Sequence, residues 1–147
     1  AYRQIGYDKH QLKKEQFRDN TVDAAEIGAA ESGTAMYSIQ VNRQGRGPIG
    51  TVRVRYKVPA TGRYIEEEWE LAYDPVSVPL QEAKASMRLA AVASSFAEWM
   101  AANPHAGSVN LGDLQLYLSG VPEEFSNDER PKQLQRMLQQ ARRISGQ

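Results

Sequence analysis

The sequence predicts an α+β fold: an antiparallel, sandwich-like β-sheet over residues 1–78, followed by three α-helices over residues 79–147 packed on it. Three observations carry this. Apolar residues alternate with polar ones in Thr34–Val41, Thr51–Val58 and Tyr64–Tyr73, the period of a strand with one covered face. They recur at helical spacing in 79–102, 110–119 and 129–145. Turn residues at Gly45–Gly50, Ala60–Arg63, Asn103-Pro104 and Gly120–Pro122 separate these runs.

The elements follow in order. Tyr2–Tyr7 is a short strand with Ile5 and Tyr7 on one face. Asp19, Asn20, Asp23, Gly28 and Gly33 mark turns in a stretch without a period. In Thr34–Val41 the covered face is Ala35, Tyr37, Ile39 and Val41. The run Asn42–Gly50, rich in Gly and Arg, is a connector. Thr51–Val58 and Tyr64–Tyr73 then form a hairpin. Val52, Val54, Tyr56 and Val58 share an apolar face with Ile65, Trp69, Leu71 and Tyr73, while Arg53, Arg55 and Lys57 share an ionic face with Glu66, Glu68 and Glu70; Glu67 is out of pattern. The preferred register sets Val54 opposite Trp69, Arg53 opposite Glu70, Arg55 opposite Glu68 and Lys57 opposite Glu66, around a loop Ala60–Arg63 with Gly62 in it. A second register sets Val52 opposite Trp69. It would close on Ala60-Thr61, neither of them Gly or Asn, and is disfavoured. Trp69 is expected in the core.

The first helix spans 79–102, with Ser77 as N-cap, Pro79 in its first turn, and Asn103-Pro104 as its stop. Leu80, Ala83, Met87, Ala90, Ala91, Ser94, Ala97 and Met100 trace its face; Leu89, Val92, Phe96 and Trp99 widen it, so two sides are expected to be covered. Asn110–Ser119 is a shorter helix ended by Gly120 and Pro122, although Leu114–Leu118 also alternates like a strand. The last helix, 129–145, carries Leu134, Met137, Leu138, Ala141 and Ile144 as its stripe, Asp128 as N-cap, Arg142 and Arg143 against the dipole, and Gly146 as its stop. The junction at 74–79 is short. The β-rich subdomain 1–78 and the helical subdomain 79–147 are therefore read as one compact domain. The first residue is Ala1 rather than Met, which reads as a processed protein or a piece of a larger one.

Composition excludes several functions. The 147 residues hold 18 basic and 18 acidic side chains and no cysteine. Charges balance in each half, 11 against 11 in 1–78 and 7 against 7 in 79–147, so neither half has a nucleic-acid footprint. Without cysteine there is no disulfide, no thiolate metal site and no thiol nucleophile. No apolar run is long enough to insert in a membrane.

The candidate chemistry resolves into structure. Gly45-Arg46-Gly47-Pro48-Ile49-Gly50 spells a dinucleotide motif, but such a motif opens a helix. Here a strand follows and Pro48 lacks an N–H, so the run is a connection between strands. His10 and His105 sit in separate polar loops and make no metal set. Alternate glutamates on the 64–73 strand lie about 7 Å apart. They are read as an ion ladder with Arg53, Arg55 and Lys57 rather than as an acid–base pair. Two loop histidines and no Gly-x-Ser-x-Gly elbow leave no hydrolase triad. Trp69 and Trp99 lie on apolar faces and are assigned to packing. We therefore expect no catalytic, cofactor-binding or metal residues, and a protein that is not an enzyme.

One resemblance stands out. Tyr2-Arg3-Gln4-Ile5-Gly6-Tyr7, then Asp23-Ala24-Ala25-Glu26-Ile27-Gly28-Ala29, then Thr34-Ala35-Met36-Tyr37-Ser38-Ile39 resemble Y-R-L-I-G-Y-E-N-R, D-A-G-E-I-G-A-G-H and T-A-L-Y-E-I. These patterns mark the uncharacterised domain C-terminal to the von Willebrand factor type A domain in bacterial YfbK-like proteins. Val54–Pro59 and Arg88–Phe96 are similar to its R-Y-K-x-P strand and its A-A-A-V-A-x-F helix. Ala25 and Ala30 replace glycines of the pattern, and Glu31 stands where histidine is frequent. The resemblance implies an upstream type A domain, whose Asp-x-Ser-x-Ser metal motif is not in this sequence, and a bacterial cell-envelope or extracytoplasmic setting. It transfers no functional residues. The expected function is a non-catalytic accessory module that supports protein–protein interaction, with the upstream type A domain and a protein as partners. The alternative is a small-molecule or peptide binding domain with a pocket between sheet and helices.

Overall fold

The computed structural model describes residues 2–5, 12–22, 27, 30–42, 45–74, 78–102 and 109–146. The fold is α+β, with the helices mostly C-terminal. Among the described residues the strands do not join into one sheet. They form two separate two-stranded antiparallel ribbons, β1 (Tyr2–Ile5) with β2 (Met36–Ile39), and β3 (Gly50–Lys57) with β4 (Tyr64–Leu71). Alternation specifies which face of a strand is apolar. It does not specify which edge finds a partner.

In the first ribbon Tyr2 faces Ile39, Gln4 faces Tyr37, and Ile5 faces Met36. The covered set is the reverse of the expected one. Met36 and Ile5 are partly buried on the side of the ribbon that carries Arg3, whereas Tyr37, Ile39 and Val41 are exposed. The reason is the long helix, which carries Glu98 to Arg3 on that side. Ahead of β2, Lys14–Arg18 forms a 3₁₀ turn and the Asp19 side chain accepts from the Thr21 N–H at 2.9 Å. Ala30, in place of the pattern's glycine, takes φ +63°. Tyr7, His10, Asp23, Ala25, Gly28, Ser77, Asn103, Pro104 and His105 lie outside the described residues.

The second ribbon is the expected hairpin in the disfavoured register. Val52 faces Trp69, Arg53 faces Glu68, Val54 faces Glu67, Arg55 faces Glu66, Tyr56 faces Ile65, and Lys57 faces Tyr64. The loop explains the choice. Pro59 has no N–H to extend the ladder, so the last rung is the Val58 N–H donating to the Arg63 carbonyl at 2.8 Å. The loop is then Pro59–Gly62, not Ala60-Thr61. The Val58 carbonyl accepts from both Thr61 and Gly62. Pro59 takes the second place of the turn, where its fixed φ fits, and Gly62 closes it at φ +67°.

The helices build the core. They are α1 (Ala85–Met100), α2 (Leu111–Tyr117), the single turn α3 (Val121–Glu124) and α4 (Glu129–Ser145). Val92, Phe96, Leu111, Leu118, Val121 and Leu138 are buried together, with Leu89, Trp99 and Leu134 packed around them. The inward stripe of α1 is Ala85, Val92 and Phe96, which are buried, with Leu89 and Trp99 partly buried beside them; Met87, Ala97 and Met100 of the expected stripe are exposed. Bulky side chains remove more apolar area from water than alanines do, so they set the rotation of the helix. The helix also starts late, at Ala85, after a 3₁₀ turn Leu80–Glu82 that Pro79 precedes.

Asn110 caps α2 by accepting from the Gly112 and Asp113 N–H groups, which settles the helix–strand ambiguity of 114–118. Gly120 (φ +73°) and Pro122 do not only end α2: they open α3, with proline inside its first turn. Asp128 caps α4 and Gly146 follows it, as expected. On α4, Leu134 and Leu138 turn inward while Met137 and Ile144 are exposed. The α1 residue Arg88 joins three helices. Its Nη1 donates to the Tyr117 carbonyl at 3.2 Å and the Ser119 carbonyl at 2.8 Å, and its Nη2 lies 3.7 Å from Glu124.

Candidate functional site

An uncovered apolar surface dominates the β half. Its first part is the face of the β3–β4 ribbon formed by Val52, Val54, Tyr56, Ile65 and Trp69. Strand alternation puts these side chains on one side, and each is more than a third exposed, Trp69 at 48%. The expectation of a buried Trp69 is thus corrected. A two-stranded ribbon covers nothing by itself, and no described helix makes more than marginal contact with it.

The second part is a cleft of about 630 Å³ where this face meets the first ribbon. Tyr2, Tyr37 and Ile39 form one wall, Val52, Leu71 and Tyr73 the other, and Gly45–Gly50 the floor. The Tyr2 and Tyr37 rings sit 6.4 Å apart, tilted by 59°. Strand β2 precedes the glycine run and strand β3 follows it, so the run is a strand connection with Gly47 at φ +89°.

The ionic residues group around the ribbon's other face. Arg53 Nε donates to Glu68 at 2.6 Å. Glu66 is held by Arg18 from the 3₁₀ turn, through bonds of 2.8 and 3.0 Å. Those bonds keep the Glu66 carboxyl below its ordinary value and raise the Arg18 guanidinium. Arg55 turns to Asn20 and lies 4.1 Å over the Tyr64 ring, with Lys57 at 5.9 Å. The expected ladder therefore has one direct ion-pair rung, Arg53 with Glu68; Tyr64 inside the hairpin and Arg18 and Asn20 outside it hold the other ionic residues. Glu67 lies on the apolar face opposite Val54. It accepts from the Tyr56 hydroxyl at 2.8 Å, which pushes the phenol above its ordinary value. Trp99 is in the helical core, stacked on Phe96 at 5.9 Å and 12°. Among the described residues no cluster of His, Asp and Glu is suited to a metal ion, and no helix is long and apolar enough to cross a membrane.

The arrangement presents apolar and aromatic side chains to solvent. Arg18, Glu67 and the cleft walls were not legible as site residues, because alternation marks a face as apolar whether or not anything covers it. The one signal was Glu67 itself, a carboxylate in the apolar register.

These features sit on a bacterial sequence type. Residues 1–47, which supply β1, β2 and one cleft wall, match the family described as "Uncharacterized protein YfbK, C-terminal", so this stretch, under half of the chain, is similar to a YfbK C-terminal domain. Over 43 residues it is 46% identical to Uncharacterized protein YfbK of Escherichia coli (strain K12). The matched stretch is 29% of this chain and 8% of that relative, so the chain spans only a small part of its length. The similar stretches at Val54–Pro59 and Arg88–Phe96 lie beyond the family match. No solved structure matches the chain.

Proposed function

We propose that this chain is a non-catalytic interaction module of a larger YfbK-like protein. In this reading it follows a von Willebrand factor type A domain in the bacterial cell envelope and helps present that domain to a protein partner. The observation that supports the reading is the uncovered apolar surface running from Tyr37 and Ile39 through Val52 to Trp69. Exposed apolar patches of this kind mark interaction sites. The test is a photo-crosslinking amino acid at position 69 or 37 of the full-length protein, with the joined peptides mapped by mass spectrometry. Cross-links to the type A domain or to a defined face of a second protein are expected. Reaction with solvent alone at both positions would rule the module out.

A second reading rests on the cleft. Its volume is within the range of small-molecule sites, about 300–1,000 Å³. It lies between the two ribbons, not between sheet and helices. A ligand screen read by chemical shifts at Tyr2, Tyr37 and Tyr73 tests it. Saturable shifts confined to these residues would favour this reading.

A further inference from the structure

We infer that the face of the β3–β4 ribbon is the seat of one amphipathic α-helix of a partner protein, which carries a basic residue in the middle of its apolar stripe. The inference deepens the module reading and rests on it. Dimensions favour a helix. Each strand has 8 residues, about 27 Å at the strand rise. Two strands about 4.8 Å apart make a strip as wide as a helix of about 10 Å diameter can cover. About 18 helical residues match the length.

Charge selects among such helices. Glu67 is the one acidic group on the strip, flanked by Val54, Tyr56, Ile65 and Trp69. Its Oε1 is held by the Tyr56 hydroxyl at 2.8 Å, and no cation among the described residues reaches it. A covering helix of uninterrupted leucine would leave this carboxylate desolvated and unpaired, which is costly. A Lys or Arg in the stripe meets it. The same group argues against a second copy: a two-fold face-to-face dimer sets apolar face on apolar face and brings each Glu67 into an interface with its twin. Two-fold edge pairing between copies fails similarly. Two β4 edges would oppose Glu66, Glu68 and Glu70 with themselves, and two β3 edges would oppose Arg53, Arg55 and Lys57.

The test uses the intact chain with Trp99→Phe, so that Trp69 reports alone. The probe is an amidated 18-residue Ala/Leu/Gln helix with Arg at the centre of its Leu stripe. Companion peptides carry Glu or Leu there. A blue shift of Trp69 emission is expected, with the Arg peptide binding about tenfold more tightly than the Glu peptide. Glu67→Gln should reduce that preference to less than about twofold, since the charge pair is removed. Equal affinity for the three peptides, or no Trp69 response, overturns the inference. So does a dimer seen by sedimentation without peptide. If all peptides fail while position 69 of the full-length protein still cross-links to a partner, the helix is wrong and the module reading stands.

Discussion

Arg3 on the first strand and Glu98 on the long helix form a two-pronged ion pair, 95 residues apart in the chain. The second prong is 3.3 Å long, and the Glu98 side chain is only 11% exposed. The pair fixes the ribbon that carries Tyr2 and Tyr37 to the helical core. Glu98→Ala should cost about 1–2 kcal/mol in urea unfolding, the range of a charged hydrogen bond reduced for the partial exposure of Arg3. The loss should be smaller in an Arg3→Ala background, because a double-mutant cycle isolates the pair.

Arg88 should be worth more. Arg88→Met removes two bonds to the carbonyl end of α2 and the contact with Glu124. We expect about 2–3 kcal/mol of destabilisation by thermal or chemical unfolding, because two backbone acceptors lose a charged donor. Arg88→Lys should recover less than half, since one ammonium cannot reproduce the fork.

The exposed ribbon face and the helical core separate cleanly. Trp69→Ala should cost about 1–2 kcal/mol, since half of its surface is already in water. Phe96→Ala, at a site 2% exposed, should cost about 3–5 kcal/mol through the cavity it leaves. Equal losses in differential scanning calorimetry would contradict this division.

Backbone conformation makes paired predictions. Ala30 sits at φ +63° and Gly62 at φ +67°. A left-handed residue with a Cβ costs about 1–2 kcal/mol, partly offset by the freedom that glycine loses on folding. Ala30→Gly should therefore stabilise by about 0.5–1 kcal/mol, and Gly62→Ala should destabilise by about as much. A Cβ at 62 meets only the Lys57 side chain at 4.0 Å, so sterics add nothing.

Acid should act on the α4 N-terminus. Hydrogen bonds from the Arg130 side chain, then from its backbone N–H, hold the Asp128 carboxyl down to about 2. Its value in the unfolded chain is near the ordinary value of about 3.9. The folded value is the lower one, so the stabilisation is complete above about pH 4 and is lost as pH falls through about 2. Glu129 is also lowered, by Lys132. The readout is therefore the difference between wild type and Asp128→Asn, which keeps a side-chain acceptor but no charge. That difference in melting temperature should shrink between pH 4 and pH 2.

What the sequence by itself determined was local. The 3.6-residue period, Asp128 and Gly146 placed the three longer helices, the first of them with its start too early, because caps and periodicity act within a few residues. Alternation placed all four strands and sorted the two faces of the hairpin correctly. The resemblance held where residues 1–47 carry it. The tertiary structure decided the rest. It chose the register, since Pro59's missing N–H and Gly62's positive φ count only once the ladder meets the turn. It reversed the covered face of β2, because burial depends on where α1 lies and not on which side is more apolar. It sent Glu66 to Arg18 and left Trp69 exposed. An apolar strand face declares that it needs cover, and only the packing of distant elements determines whether the chain supplies it.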